Sequence, residues 1–272
     1  MNPIYIGLSG YSYKPWQGKG RFYPEKLKSA EFLRYYASRF NTVELDGMWY
    51  RLPTEQTMQG WLEQTPASFI FSPKAHRQIT HMHRLQPDAL IFVKTMLDRL
   101  APLIRQKRLG PILLQLPPNF TRDDDRLNKF LEQASRIVRW AIEFRQRGWV
   151  GPKLLELLRR HRVALALVES RWVRREEMID LTIHPTTDFA YVRWMGTGTR
   201  IEDFSTVQVN RDRELSVWAM ALAALAARVP AVYGYFSNHF QGHAPASARE
   251  MQRLIGGSPV EPEKLRSQTT LF

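Results

Sequence analysis

Eight short apolar runs, each followed by a stretch of helical spacing, constrain this chain more than any other feature. A run of four to eight apolar residues bounded by turn formers suits a strand buried on both faces. Strands alternating with helices pair in parallel, since a crossover helix returns the chain to the same end of the sheet. The runs lie at Ile4 to Leu8, Thr42 to Leu45, Phe69 to Phe71, Ile112 to Leu116, Trp140 to Phe144, Val163 to Val168, Phe189 to Trp194 and Ala231 to Phe236. Between them, Leu33, Tyr36, Ala37 and Phe40 form one apolar stripe, and Leu127, Phe130, Leu131 and Ala134 another. Pro152 suits the first helical position before Leu154, and Leu215 to Ala227 is rich in strong helix formers. These units predict an α/β fold, a single-domain (β/α)8 TIM barrel over residues 1–255. An irregular tail over 256–272 is expected, where Gly256, Gly257, Pro259 and Pro262 interrupt regular structure.

The chain has no cysteine, which excludes disulfides, thiolate metal sites and a cysteine nucleophile. No apolar stretch is long enough to cross a bilayer and no secretory leader pattern opens the chain, so a cytoplasmic location without a membrane partner is the expectation. The formal net charge of +13 favours encounters with phosphate groups, nucleic acid or other anions. Much of that excess falls in helical segments such as Arg159, Arg160 and Arg162, where solvated outer faces are the plainer reading, so a nucleic-acid role stays secondary.

Side chains alternate along a strand, and in this fold the active face is formed at the carboxyl ends. With Val43 and Leu45 facing the helices, Thr42, Glu44 and Asp46 face inward; with Ile142 and Phe144 outward, Glu143 and Arg145 face inward. The same reading places Ser9, Ser72, Lys74, Gln115, Glu169, Arg193 and Asn238 at the ends of the other strands. Eight strands that each end on a polar group point to a site, because unpaired buried charge is costly. The alternative is a layer of ion pairs that merely closes the barrel top. Among His76, His81 and His83 after the third strand, His81 is the preferred candidate for proton transfer. Glu44, Glu143 and Glu169 could surround a divalent metal, although oxygen ligands leave no diagnostic spacing, and no other cofactor is indicated. The loops Gly196 to Thr199 and Asn238 to Ala244, the latter containing His243, stand where barrels often bind phosphate. Loop aromatics including Tyr11, Tyr13, Trp16 and Trp49 could stack on a sugar or base, or pack beneath loops.

These residues resemble the YecE-like family, also called domain of unknown function 72. The resemblance is carried by Gly7 to Tyr13 with Trp16 and Phe22-Tyr23-Pro24, by Phe40 to Glu44 with Trp49-Tyr50-Arg51, and by Lys74 with Ile79-Thr80-His81. Gly110 to Pro118, Ile142 to Arg145 with Trp149, Tyr191-Val192-Arg193 and Tyr235 to Asn238 with Gly242-His243-Ala244 complete it. The resemblance implies a barrel and no settled activity, with a distant similarity to sugar-isomerase and endonuclease-like barrels. The chain departs from the family pattern at Asp46-Gly47, Glu169, Met195 and Ser237.

The leading expectation is an enzyme acting on a small anionic, phosphorylated or sugar-like substrate. Glu44 or Glu143 would be general acid/base with His81 assisting, and Ser9, Tyr11, Lys74, Gln115, Arg145, Arg193, Asn238 and His243 would bind substrate. The alternative is a nucleic-acid binding or processing protein that uses its basic surface.

Overall fold

In a computed structural model describing residues 2–134, 136 and 138–261, the alternation becomes eight strands and eight α-helices among the described residues. The strands are β1 (Ile4–Leu8), β2 (Thr42–Leu45), β3 (Ile70–Pro73), β4 (Ile112–Gln115), β5 (Trp140–Glu143), β6 (Ala164–Ser170), β7 (Phe189–Gly196) and β8 (Ala231–Phe236). The helices are α1 (Phe32–Ala37), α2 (Glu55–Gln64), α3 (Ala89–Arg105), α4 (Asp124–Gln133), α5 (Pro152–His161), α6 (Arg175–Asp180), α7 (Asp212–Ala226) and α8 (Ala244–Leu254). Local chemistry sets several boundaries. Thr54 accepts from the Thr57 amide at the start of α2 (3.1 Å) and Asp123 from the Arg126 amide at the start of α4 (2.9 Å). Pro152 opens α5, and Arg162 closes it in the left-handed conformation (φ 56°). Most of the tail expected after residue 255 lies outside the described residues.

The expectation of one closed eight-stranded ladder requires correction. Six strands form a curled parallel sheet in the order β1-β8-β7-β6-β5-β4, and β2 pairs in parallel with β3 alone. Among the described residues the pair has isolated bridges to its neighbours in place of a ladder, Ser9 with Glu44 on one side, and Phe71 with Leu109 and Lys74 with Leu113 on the other. Each seam has a physical cause. Pro73 in β3 and Pro111 before β4 lack the N–H that a ladder needs. Between β1 and β2, the Tyr36 hydroxyl of α1 accepts from the Leu8 amide (2.9 Å) and donates to the Thr42 carbonyl (2.9 Å), standing where a direct backbone bond would otherwise run. Gly7 permits this closeness, since a Cβ there would lie 2.2 Å from the Thr42 carbonyl oxygen.

Alternation along the strands divides the core in two. Val43, Leu45, Ile142 and Phe144 pack outward with the helices, whereas Leu113, Ala141, Ala166, Val168, Tyr191 and Tyr235 fill the inside. A polar layer crosses that interior, with the Tyr235 hydroxyl bonded to Ser72 Oγ (2.6 Å) and Thr42 Oγ1 (2.8 Å). Burial raises the Tyr235 phenol well above its ordinary pKa, keeping it neutral. The carboxyl-end residues stand next along the strands from this layer.

Candidate functional site

Arg193 of β7 organises the constellation. Its guanidinium is buried, donating to Glu44 Oε2 (2.8 Å) through Nε, to Glu44 Oε1 (2.7 Å) through Nη2, and to Glu143 Oε2 (2.5 Å) through Nη1. Ser9 Oγ (2.6 Å) and the Tyr191 hydroxyl (2.8 Å) complete the shell of Glu44. Gln115 Nε2 and Arg145 Nε each donate to Glu143 Oε1 at 3.0 Å. Burial by itself would raise the Glu143 pKa, but the charges of Arg193 and Arg145 prevail and hold it at about 2. Burial likewise opposes the Arg193 charge, and Glu44 and Glu143 more than offset it, so its pKa is raised well above the usual value. Such a layer stabilises no better than packed hydrocarbon. What it supplies is orientation.

The outer rim is built differently. Lys74, at the end of β3, pairs with Asp46 (3.0 Å) and lies 5.4 Å from the Trp49 ring centre. Arg145 is tethered through Nε, and its two terminal nitrogens make no hydrogen bond among the described residues. His81 sits on one π-helical turn, Gln78–Met82, followed by the left-handed residues Arg84 (φ 49°) and Leu85 (φ 59°). Single π turns and left-handed bulky residues cluster at functional sites. Trp49 Nε1 donates to His81 Nδ1 (3.3 Å) and Thr80 Oγ1 lies 2.8 Å from the same nitrogen. An indole only donates, so Nδ1 is assigned as the bare nitrogen and Nε2 carries the hydrogen. Burial first, then the charges of Lys74, Arg145 and Arg84, lower the His81 pKa to about 4. The neutral ring therefore presents a donor among cations.

Ser9, Glu44, Gln115, Glu143, Arg145 and Arg193 thus form one hydrogen-bonded group, with Lys74 and His81 within electrostatic reach of its rim. Tyr11 stands to one side, its hydroxyl accepting from Trp61 Nε1 (3.1 Å). Asn238 and His243 are engaged elsewhere. Asn238 Oδ1 accepts from Trp16 Nε1 (2.9 Å) and the first amide of α8 (3.2 Å), and His243 Nδ1 lies 2.9 Å from the Phe204 carbonyl oxygen. Burial lowers the His243 pKa to about 4, so this ring also stays neutral. His76 and His83 are committed to the Tyr50 carbonyl and to Asp88.

The suggested metal set of Glu44, Glu143 and Glu169 does not assemble. Val168 points into the interior, so the next residue points outward, where Glu169 Oε2 accepts from Trp218 Nε1 of α7 (2.5 Å). Burial raises the Glu169 pKa, against the Trp218 hydrogen bond and nearby arginines. Among the described residues no three His, Asp or Glu side chains are grouped closely enough to hold a metal ion. Sequence reasoning missed Tyr191, Trp61 and the Lys74–Asp46 pair. Tyr191 was accessible, since it shares the face of Arg193 two residues away; Trp61 lies on a helix, where strand parity says nothing.

Comparison with known proteins places the chain. The protein YunF of Bacillus subtilis is 26% identical over 274 residues, covering 93% of this chain and 94% of its own length. YecE of Escherichia coli K12 is 33% identical over 144 residues, covering 52% of this chain and 48% of its own. A crystal structure of a DUF72 family protein from Thermotoga maritima superposes with a TM-score of 0.78 at 27% identity, over 93% of this chain and 99% of that one. Likeness of fold extends to an AP endonuclease, family 2, from Brucella melitensis (TM-score 0.51, 12% identity, 89% of this chain and 94% of that one). It extends also to SacUVDE (0.54, 8%, 98% and 99%). No helix among the described residues is long and apolar enough to cross a membrane. The model of the DUF72 family, described as proteins of unknown function, matches residues 5–269, and this chain belongs to that family.

Proposed function

We propose that the carboxyl-end face is the substrate site of an enzyme for a small anionic compound, with Lys74, Arg145 and His81 holding the anionic group. The observation that supports this reading is that all three keep N–H groups available. Among the described residues Lys74 uses one of its three donors on Asp46, Arg145 leaves both terminal nitrogens open, and His81 presents Nε2–H. Two cations and a neutral imidazole donor suit stabilisation of negative charge on a bound or reacting oxygen.

The expected acid/base roles of Glu44 and Glu143 shift accordingly. Among the described residues Glu44 accepts four hydrogen bonds, which fill its acceptor positions, and Glu143 accepts three, two of them on Oε1. A carboxyl held at about 2 is also a weak base near neutrality. Both are positioning residues, fixing Arg193 and through Glu143 the guanidinium of Arg145. The nucleic-acid alternative draws on the charge of +13 and on the loop aromatics, while the likeness to AP endonuclease and SacUVDE is one of fold.

Calorimetric titration with inorganic phosphate tests this reading. Lys74→Met and Arg145→Met should each weaken binding at least tenfold, with circular dichroism unchanged. Equal affinity in both variants would remove the anion centre, and a steep salt dependence with oligonucleotide would favour the alternative.

A further inference from the structure

Beside the rim lies a cavity of about 570 Å³ between the loops that follow β1 and β2. Its size falls within the range of small-molecule sites, about 300 to 1,000 Å³. Tyr11, Tyr13 and Trp61 supply aromatic walls, and Ser12, Asp46 and Arg51 supply polar groups. Both loops start from the seam of the sheet. Ser9, whose hydroxyl bonds Glu44, precedes Gly10 of the cavity, and Gly10 N donates to the Glu44 carbonyl (2.8 Å).

Asp46 joins the two regions. Asp46 is among the residues lining the cavity, and one of its carboxylate oxygens accepts from Lys74 Nζ at 3.0 Å. A molecule whose anionic end reaches Lys74 therefore has its remainder directed along Asp46 toward the aromatic walls. The Tyr11 hydroxyl is held by Trp61 Nε1 (3.1 Å), and the Trp61 ring stacks on buried Phe71 with centroids 5.9 Å apart, so these walls are fixed in place. Tyr13 is likewise packed against the Trp16 ring (4.8 Å between centroids).

Resting on the anion-binding reading above, we propose that this cavity is the ring subsite of the same centre and that the substrate is an anionic monosaccharide, a sugar phosphate or sugar acid. A sugar ring offers an apolar C–H face to aromatic walls and several hydroxyls that both donate and accept. Asp46 supplies acceptors, Arg51 donors, and the Ser12 hydroxyl both. A nucleotide is the rival occupant of aromatic walls, so adenosine monophosphate is included in the test.

Thr57 provides a test that leaves the buried face of α2 untouched, because it is exposed and lines the cavity; the Thr57 amide that Thr54 caps is retained in the variant, and circular dichroism checks the fold. The full chain is titrated with inorganic phosphate, ribose 5-phosphate, glucose 6-phosphate, glucuronate and adenosine monophosphate. At least one sugar phosphate or the sugar acid should bind tenfold or more tightly than inorganic phosphate, and which does so separates the two anion types. Thr57→Trp, which narrows the cavity, should reduce that advantage at least tenfold and leave phosphate affinity unchanged. If phosphate binds and the sugars add nothing, or if adenosine monophosphate outbinds every sugar, the ring subsite is refuted while the anion centre stands. If phosphate itself fails to bind, both fall.

Discussion

Replacing Glu143 with Gln keeps the shape of the side chain and removes its charge from the buried layer, so the consequence can be worked from the structure. In the folded protein Glu143 is held at about 2, against an ordinary value of 4.5. At 1.36 kcal/mol for each tenfold step in acidity, that difference corresponds to about 3 kcal/mol. It agrees with the 3–5 kcal/mol, in order of magnitude, that follows when one partner of a buried ion pair is removed. A folded value below the unfolded one means that the unfolded chain takes up the proton first. The contribution is therefore fully present above about pH 4.5 and drains away as the pH falls toward 2. Chemical denaturation followed by circular dichroism at several pH values from 3 to 7 should show wild type exceeding Glu143→Gln by about 3 kcal/mol near pH 7, with the gap narrowing on acidification. Curves that run parallel across that range would show that Glu143 is not held ionised by Arg193 and Arg145, and the proposed tether of Arg145 would lose its basis.

Two further outcomes are expected. Tyr36→Phe strips a hydrogen-bond partner from both the Leu8 amide and the Thr42 carbonyl at the β1–β2 seam. Stability should fall by about 2 to 4 kcal/mol, with faster hydrogen exchange at the Leu8 amide; wild-type exchange there would count against the phenol as a bridge. In ring NMR, His81 should remain neutral down to about pH 4. Because its folded value lies below that of a free imidazole, it should cost stability as the pH falls from about 6.5 toward 4. A ring titrating near 6.5 would contradict the assigned cationic surroundings.

The strands and the meeting of Glu44, Glu143 and Arg193 were legible because side-chain direction along a strand has a period of two, and Val43, Leu45, Ile142 and Phe144 declare which parity faces the helices. The same parity shows why Glu169 differs, for it follows Leu165 and Leu167 outward while Ala164, Ala166 and Val168 turn inward. Asn238 lies past the end of β8, in a loop where alternation no longer governs direction. From sequence alone came the number of β/α units and the chemical character of the strand ends, since both are local patterns of apolar and polar residues. Only the tertiary structure decided that the ladder breaks on either side of β2 and β3, that a phenol of α1 fills one seam, and that Arg193 consumes the two carboxylates while Lys74, Arg145 and His81 keep donors to spare. Most of those outcomes depend on which groups meet across distances of 28 to 149 residues along the chain. There, packing geometry selects one pairing among several that charge and hydrogen-bonding capacity would equally allow.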